Sequence, residues 1–158
     1  NDCPATIDRL INMGVEPFLL TSSINLILAQ RLVRRICEQC KEPLHLRPEL
    51  LINLGVDSGD AGAGFPTFHG RGCNNCGNTG YRGRLAVYEV MVMRDELREL
   101  ILKGVSAMEL KRAAVKLGLS TLRMSALQKV REGLTTVDET IRVTDNDKGF
   151  GSVFSLGF

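Results

Sequence analysis

Four of the five cysteines in this chain fall in two pairs of identical spacing, Cys37-x-x-Cys40 and Cys73-x-x-Cys76. A turn with two residues between its cysteines aims both sulfurs at one point, and two such turns supply the four thiolates of a closed tetrahedral zinc site. If both pairs meet at one ion, the ends of the segment between them are forced together, whatever its other residues prefer. The stretch around the second pair, "GRGCNNCGNTGYRGR", carries five glycines in fifteen positions. Glycine reaches backbone angles that a side chain forbids, as a tight knuckle requires.

Other uses of four cysteines have to be weighed. Two disulfides fit poorly with a chain that shows no signal peptide, no long apolar span and an odd fifth cysteine, Cys3, features expected of a reduced, intracellular protein. A thioredoxin-like redox pair follows a strand and opens a helix, and a glycine-rich knuckle does neither. Four thiolates also ligate iron, so the spacing leaves iron open beside zinc. His45 and His69 lie between the pairs; since a closed site takes four ligands and four cysteines are at hand, both are expected at the surface or behind the ligands.

With 158 residues, 44% of them hydrophobic, the chain has material for one modest core or two small ones. A net charge of +2, no tryptophan and 5% aromatic residues argue against a polyanion-binding or base-stacking surface, so no nucleic-acid partner is expected. The expected fold class is α+β and mostly helical. In residues 1–36, Pro4 opens a helix with Ile7, Leu10 and Ile11 on one face and Gly14 as its stop. A second helix is expected from Pro17 through residue 29, with Phe18, Leu19, Leu20, Ile24, Leu26, Ile27 and Leu28 all round it. Such a helix belongs inside an α/β core, so this region reads as the end of a larger domain or as an element packed on another chain. A short strand then delivers Cys37, with Arg31, Val33 and Arg35 on one face and Arg34 on the other.

Residues 37–80 read as a metal lobe. Within it "RPELLINLGV" predicts a helix bearing Leu50, Leu51 and Leu54, and "DSGDAGAGFP" a connection in which nothing packs. Residues 81–144 begin with a strand or hairpin arm that sets Leu85, Val87, Glu89 and Met91 on one side. Four helices follow: one opened by Asp95 and Glu96, one by a Ser106–Glu109 capping box, one carrying Leu127 and Val130, and one capped by Thr136 with Glu139. Residues 145–158 read as a flexible tail.

No catalytic constellation is visible: there is no G-x-x-x-x-G-K-[ST] loop, no H-E-x-x-H and no nucleophile beside a base. Taken in order, however, "NDCPATIDRLINMGVEPFLLTSSINLILAQRLVRRICEQC", "GRGCNNCGNTGYRGRLAVYEVM" and "EGLTTVDETIRVT" resemble the C-terminal part of the type II secretion and type IV pilus assembly ATPases over about residues 1–144. The resemblance implies the end of a RecA-like core over 1–36, a four-cysteine zinc lobe over 37–80 with Cys37, Cys40, Cys73 and Cys76 as ligands, and a strand plus helical subdomain over 81–144. It implies a homo-hexamer that works at the cytoplasmic face of the inner membrane against platform proteins of the machine. ATP and magnesium would be bound in the parent by a phosphate loop and Walker B strand upstream, so this chain is expected to be inactive alone. Arg82 and Arg84, directly after the second knuckle, become candidates for a nucleotide or subunit contact in the parent, against the plainer reading of a solvated basic hairpin. A different class of reading is an independent zinc-dependent binding module, since "CNNCGNTG" is similar to one repeat of the DnaJ-type chaperone zinc region and zinc ribbons contact protein or nucleic acid.

Overall fold

A computed structural model describes residues 2–147 of the chain, a mixture of helices and strands. The elements run α1 (Cys3–Asn12), α2 (Pro17–Ser23), β1 (Leu26–Ile36), β2 (Lys41–Pro43), α3 (Pro48–Leu54), α4 (Ser58–Gly62), β3 (Phe68–Gly70), β4 (Tyr81–Val92), α5 (Asp95–Leu102), α6 (Ala107–Lys116), α7 (Leu122–Arg131) and α8 (Val137–Val143). β1 pairs with β4, and β2 with β3, in two separate two-stranded sheets. Contacts divide the chain into two compact units, one from residues 1–30 and 88–122, the other from residues 31–87 and 123 onward. The tail expected over 145–158 lies, from residue 148 on, outside the described residues.

In the first unit α1 packs on α6, α2 on α5, and α5 on α6. Asp2 caps α1 by accepting the Ala5 N–H at 3.0 Å, and the helix stops before Gly14, whose φ is +90°. The same carboxylate lies 2.9 Å from the Lys111 ammonium on α6. Burial acts to raise the Asp2 pKa, yet the Lys111 hydrogen bond and the helix cap outweigh it, and the carboxyl is held below its ordinary value. Ser106 and Glu109 form the expected capping box on α6. The strand reading of residues 81–92 holds, with Val87, Glu89 and Met91 buried along one side of β4. Glu89 is the unexpected member of that row. It is 1% exposed, and its two carboxylate oxygens accept the Cys3 N–H at 2.7 Å and the Leu122 N–H at 3.1 Å. Those are the first residues of α1 and α7, so one buried side chain serves two helix N-termini.

The helix expected over residues 17–29 is corrected: α2 ends at Ser23, and Leu26 onward is strand β1. An apolar run with no polar face has no period to separate helix from strand. Here Thr21 and Ser22 turn their hydroxyls back onto the Phe18 carbonyl, a local bond that competes with helix continuation. Beyond it the Asn25 carbonyl accepts the Met93 N–H at 2.9 Å. Phe18, Leu19, Leu26 and Leu28 stay exposed in this chain.

In the second unit α3 and α4 pack together. Leu51, Val56 and Ala61 form a small core with Leu127 of α7, with Leu46, Leu54 and Phe65 against it. The expectation that nothing packs in "DSGDAGAGFP" is therefore wrong: Asp57 caps α4 through the Gly59 N–H at 2.8 Å, and Ala61 is buried. Asp60 reaches Arg131 of α7 at 3.4 Å. After α7, the Leu134 carbonyl accepts the Ile36 N–H at 2.9 Å, and Thr135 donates to the Arg34 carbonyl at 2.8 Å, so the chain entering α8 lies against the end of β1. No helix among the described residues is long and apolar enough to cross a membrane.

Candidate metal centre

Both cysteine pairs sit at the ends of elements that deliver them to one point. β1 ends at Ile36, and the Cys37 N–H then bonds the Gly80 carbonyl at 3.0 Å, which ties the first knuckle to the exit of the second. β2 leaves Cys40 and returns as β3, antiparallel, with Lys41 opposite Gly70, Glu42 opposite His69 and Pro43 opposite Phe68. The Arg71 N–H closes this ribbon on the Cys40 carbonyl at 2.9 Å. The second knuckle is a single tight turn over Asn74–Cys76 that leaves through Gly77 and Asn78, both with φ of 60°. Gly70 and Gly80 show most directly why the knuckles are rich in glycine. A methyl group on Gly70 would collide with the backbone of Gly80, so the two knuckles approach only because neither position has a side chain.

The four sulfurs of Cys37, Cys40, Cys73 and Cys76 all lie within 4.8 Å of one another. Three separations are 3.8 Å (Cys37 to Cys73), 3.9 Å (Cys40 to Cys76) and 3.7 Å (Cys73 to Cys76). A regular tetrahedron with zinc–sulfur bonds of about 2.3 Å has edges of about 3.8 Å, so the donor set fits such an ion in size and chemistry. These four residues could hold a metal ion. Cys37, Cys40 and Cys76 are buried and Cys73 is half-buried. Among the described residues, the apolar cluster they form consists of the four cysteines themselves.

Backbone N–H groups point at the sulfurs. Gly72 donates to Cys40, and Cys73 and Gly80 both donate to Cys76, each at 3.3 Å; the Asn75 amide reaches Cys37 at 3.6 Å. Burial works to raise the Cys76 pKa, but the Cys73 and Gly80 N–H donors prevail and draw it down to about 6. Cys37 is likewise lowered against burial, by the Gln39 N–H and the Asn75 amide, whereas burial and the neighbouring thiols push Cys40 up to about 12. Adjacent sulfurs cannot all ionise beside one another without a cation, and a bound divalent ion removes that conflict because a coordinated thiol is deprotonated outright.

A second cluster lies at the end of β1, around Arg34, three residues before Cys37. Glu139 of α8 is completely buried and accepts the Arg34 backbone N–H at 2.7 Å, while its oxygens also take the Arg34 and Arg142 guanidiniums at 2.8 Å. The Arg34 guanidinium lies 4.0 Å from the centre of the Tyr81 ring, and the Tyr81 hydroxyl is 2.8 Å from that of Thr136. Burial would raise the Glu139 pKa, but Arg142 and Arg34 hold it down at about 2. Thr136 caps α8 as expected, accepting the Glu139 N–H, but the Glu139 carboxylate leaves the cap for the arginines. Arg34 and Arg35 part as the alternation of β1 predicts, Arg34 to Glu139 and Arg35 to Glu38.

The remaining sequence candidates stand outside the sulfur cluster. His45 is exposed, and His69 is half-exposed beside Glu42 at 3.8 Å. Arg82 is exposed and donates to the Asn75 carbonyl at 3.3 Å, and exposed Arg84 lines a cleft with Leu32, Arg34 and Arg142. Sequence reasoning missed the roles of Glu139 and Glu89. For Glu89 a signal existed, since a charged residue stood in the apolar row of a strand.

The family of type II/IV secretion system proteins matches this chain over residues 1–142. The type IV pilus assembly ATPase PilB of Myxococcus xanthus is 50% identical over 149 residues, covering 94% of this chain and 26% of the relative. PilB of Thermus thermophilus is 43% identical, covering 91% of this chain and 16% of the relative. The type II secretion system protein E of Pseudomonas aeruginosa is 46% identical, with 91% and 28% covered. The chain thus spans between 16% and 28% of the length of these relatives.

Proposed function

The chain belongs to the type II/IV secretion system protein family, and on that premise we propose that it is the C-terminal part of a hexameric ATPase that drives type IV pilus assembly or type II secretion, stiffened by one structural zinc ion. The observation that carries the metal assignment is the gathering of four sulfurs within 4.8 Å from two knuckles far apart in sequence. Cys37, Cys40, Cys73 and Cys76 hold the ion. Four protein ligands leave it no position for an activated water, so zinc here supplies folding energy, on the order of 10–16 kcal/mol of apparent binding, and no reaction step.

The chain's own residues do the mechanical work. β1 and β4 enter and leave the knuckles, and Glu139 locks the end of β1 to α8. A displacement of either strand therefore reaches α8 through a metal link and an ionic one. Residues 1–36 form the end of a RecA-like core, and ATP and magnesium are bound by parts of the parent that these 158 residues do not include. In the parent, Arg82 and Arg84 contact nucleotide or the next subunit, and the hexamer works at the cytoplasmic face of the inner membrane against platform proteins. A chimera tests this: placed in the matching segment of the Myxococcus xanthus relative, the chain should support hexamer formation and ATP hydrolysis, while the isolated chain shows no micromolar ATP binding in calorimetry. A chimera that folds and binds zinc yet stays monomeric and inactive would contradict the reading.

A further inference from the structure

We propose that Arg34, Arg84 and Arg142 form a binding site for a phosphate monoester, in a cleft of about 490 Å³ that they line together with Leu32. Three arginines line this space, and a single carboxylate, Glu139, pairs with two of them. Arg84 has no carboxylate partner among the described residues. Among the described residues, the three arginines thus share one carboxylate at ion-pair distance.

The arrangement is prepared for an anion in advance. Each guanidinium offers five N–H donors in a planar fork. Glu139 takes the Nε of Arg34 and of Arg142 at 2.9 Å, and one terminal nitrogen of each at 2.8 Å. The other N–H groups of both forks are left free of that carboxylate, on side chains 47% and 54% exposed. The fully buried carboxylate fixes both arginines, and Tyr81 stacks on one of them at 4.0 Å, so little side-chain entropy remains to be lost on binding. Hydrogen bonding to Glu139 raises the pKa of both arginines, which keeps them charged. Three planar forks around one space match the several oxygens and double charge of a phosphate better than the two oxygens of a carboxylate. Leu32, half exposed at the same cleft, gives an organic substituent an apolar wall. The ester could be a soluble metabolite or the headgroup of an anionic lipid, which share this chemistry.

The inference goes beyond the secretion reading, and its failure would leave the zinc site and the family intact. The test titrates the zinc-loaded 158-residue chain with phenyl phosphate by NMR, and in a second arm measures co-sedimentation with vesicles containing phosphatidic acid. Saturable binding with a Kd of about 1 mM or tighter is expected. Arg84→Ala should weaken it roughly tenfold while zinc content and melting temperature stay unchanged, because Arg84 holds no other group in place. Glu139→Gln, if it folds, should weaken binding further by releasing both other arginines. Binding to vesicles alone would assign the ester to a lipid, and binding in solution to a metabolite; each supports the site. Absence of saturable binding in both arms, equal binding by Arg84→Ala, or equal affinity for a dicarboxylate of the same charge would overturn it.

Discussion

The knuckles and the α3–α4 segment between them are parts of one lobe held by different forces. Around Cys37–Cys40 and Cys73–Cys76 the buried cluster consists of the sulfurs themselves, and the backbone is pinned by N–H···S bonds and by glycines that let Gly70 and Gly80 touch. Residues 48–65 instead bury Leu51, Val56 and Ala61 against Leu127, an ordinary apolar core whose partner lies on α7. On the proposed zinc reading the first region depends on an ion, whereas the second is held by apolar burial. The lobe is thus two folding problems joined by a short ribbon, and removing metal should dissolve only one of them.

The largest expected effect is chelation. Stripping zinc from the folded chain should remove amide protection around residues 37–43 and 68–80, a loss on the order of 10 kcal/mol of local stabilisation. Amides of α3 should remain protected in the same hydrogen-exchange experiment. The converse variant is Leu51→Ala, which removes a side chain only 2% exposed and should cost about 2–5 kcal/mol in denaturant melts. Zinc content should be unaltered; if the metal leaves with the leucine, the two regions are not separable.

Glu139→Gln comes next, at about 2–3 kcal/mol, because the arginine bonds lose their charge assistance. Its pH dependence has a fixed sign. A carboxyl with an ordinary pKa of 4.5, held at about 2 in the folded chain, adds stability that is complete above 4.5 and is lost as pH falls through 2. The gap between wild type and variant should therefore be open at neutral pH and close as the solution is acidified below 4.5. Acid also attacks the thiolates, but equally in both proteins. The smallest effect is expected for Asp60→Asn, which removes a partly exposed ion pair with Arg131 and should cost under about 1 kcal/mol. A larger loss there would mean that α4 is held by charge more than by Ala61.

The same contrast explains what the sequence made legible. The two C-x-x-C pairs announce their geometry because thiolate spacing is a covalent constraint that neighbours cannot alter. Capping by Ser106 and Thr136, and the alternation through Val87, Glu89 and Met91, are local rules of the same sort. α4 was illegible because "SGDAG" has the composition of a loop and is made a helix by the Asp57 cap and by burial of one methyl group against a distant element. β1 was misread in its first half because an apolar run with no polar face has no period, and only pairing with β4 settles it as a strand. Glu139 was read as a cap because the arginines that claim it lie 105 residues away and three residues on.

The most direct measurement is the metal content of chain purified without chelator, together with a count of thiols that react under native conditions. The account predicts one zinc per chain, with Cys37, Cys40, Cys73 and Cys76 unreactive until the metal is removed. A chain that is metal-free, with those four thiols reactive and its knuckle amides still protected from exchange, would contradict it.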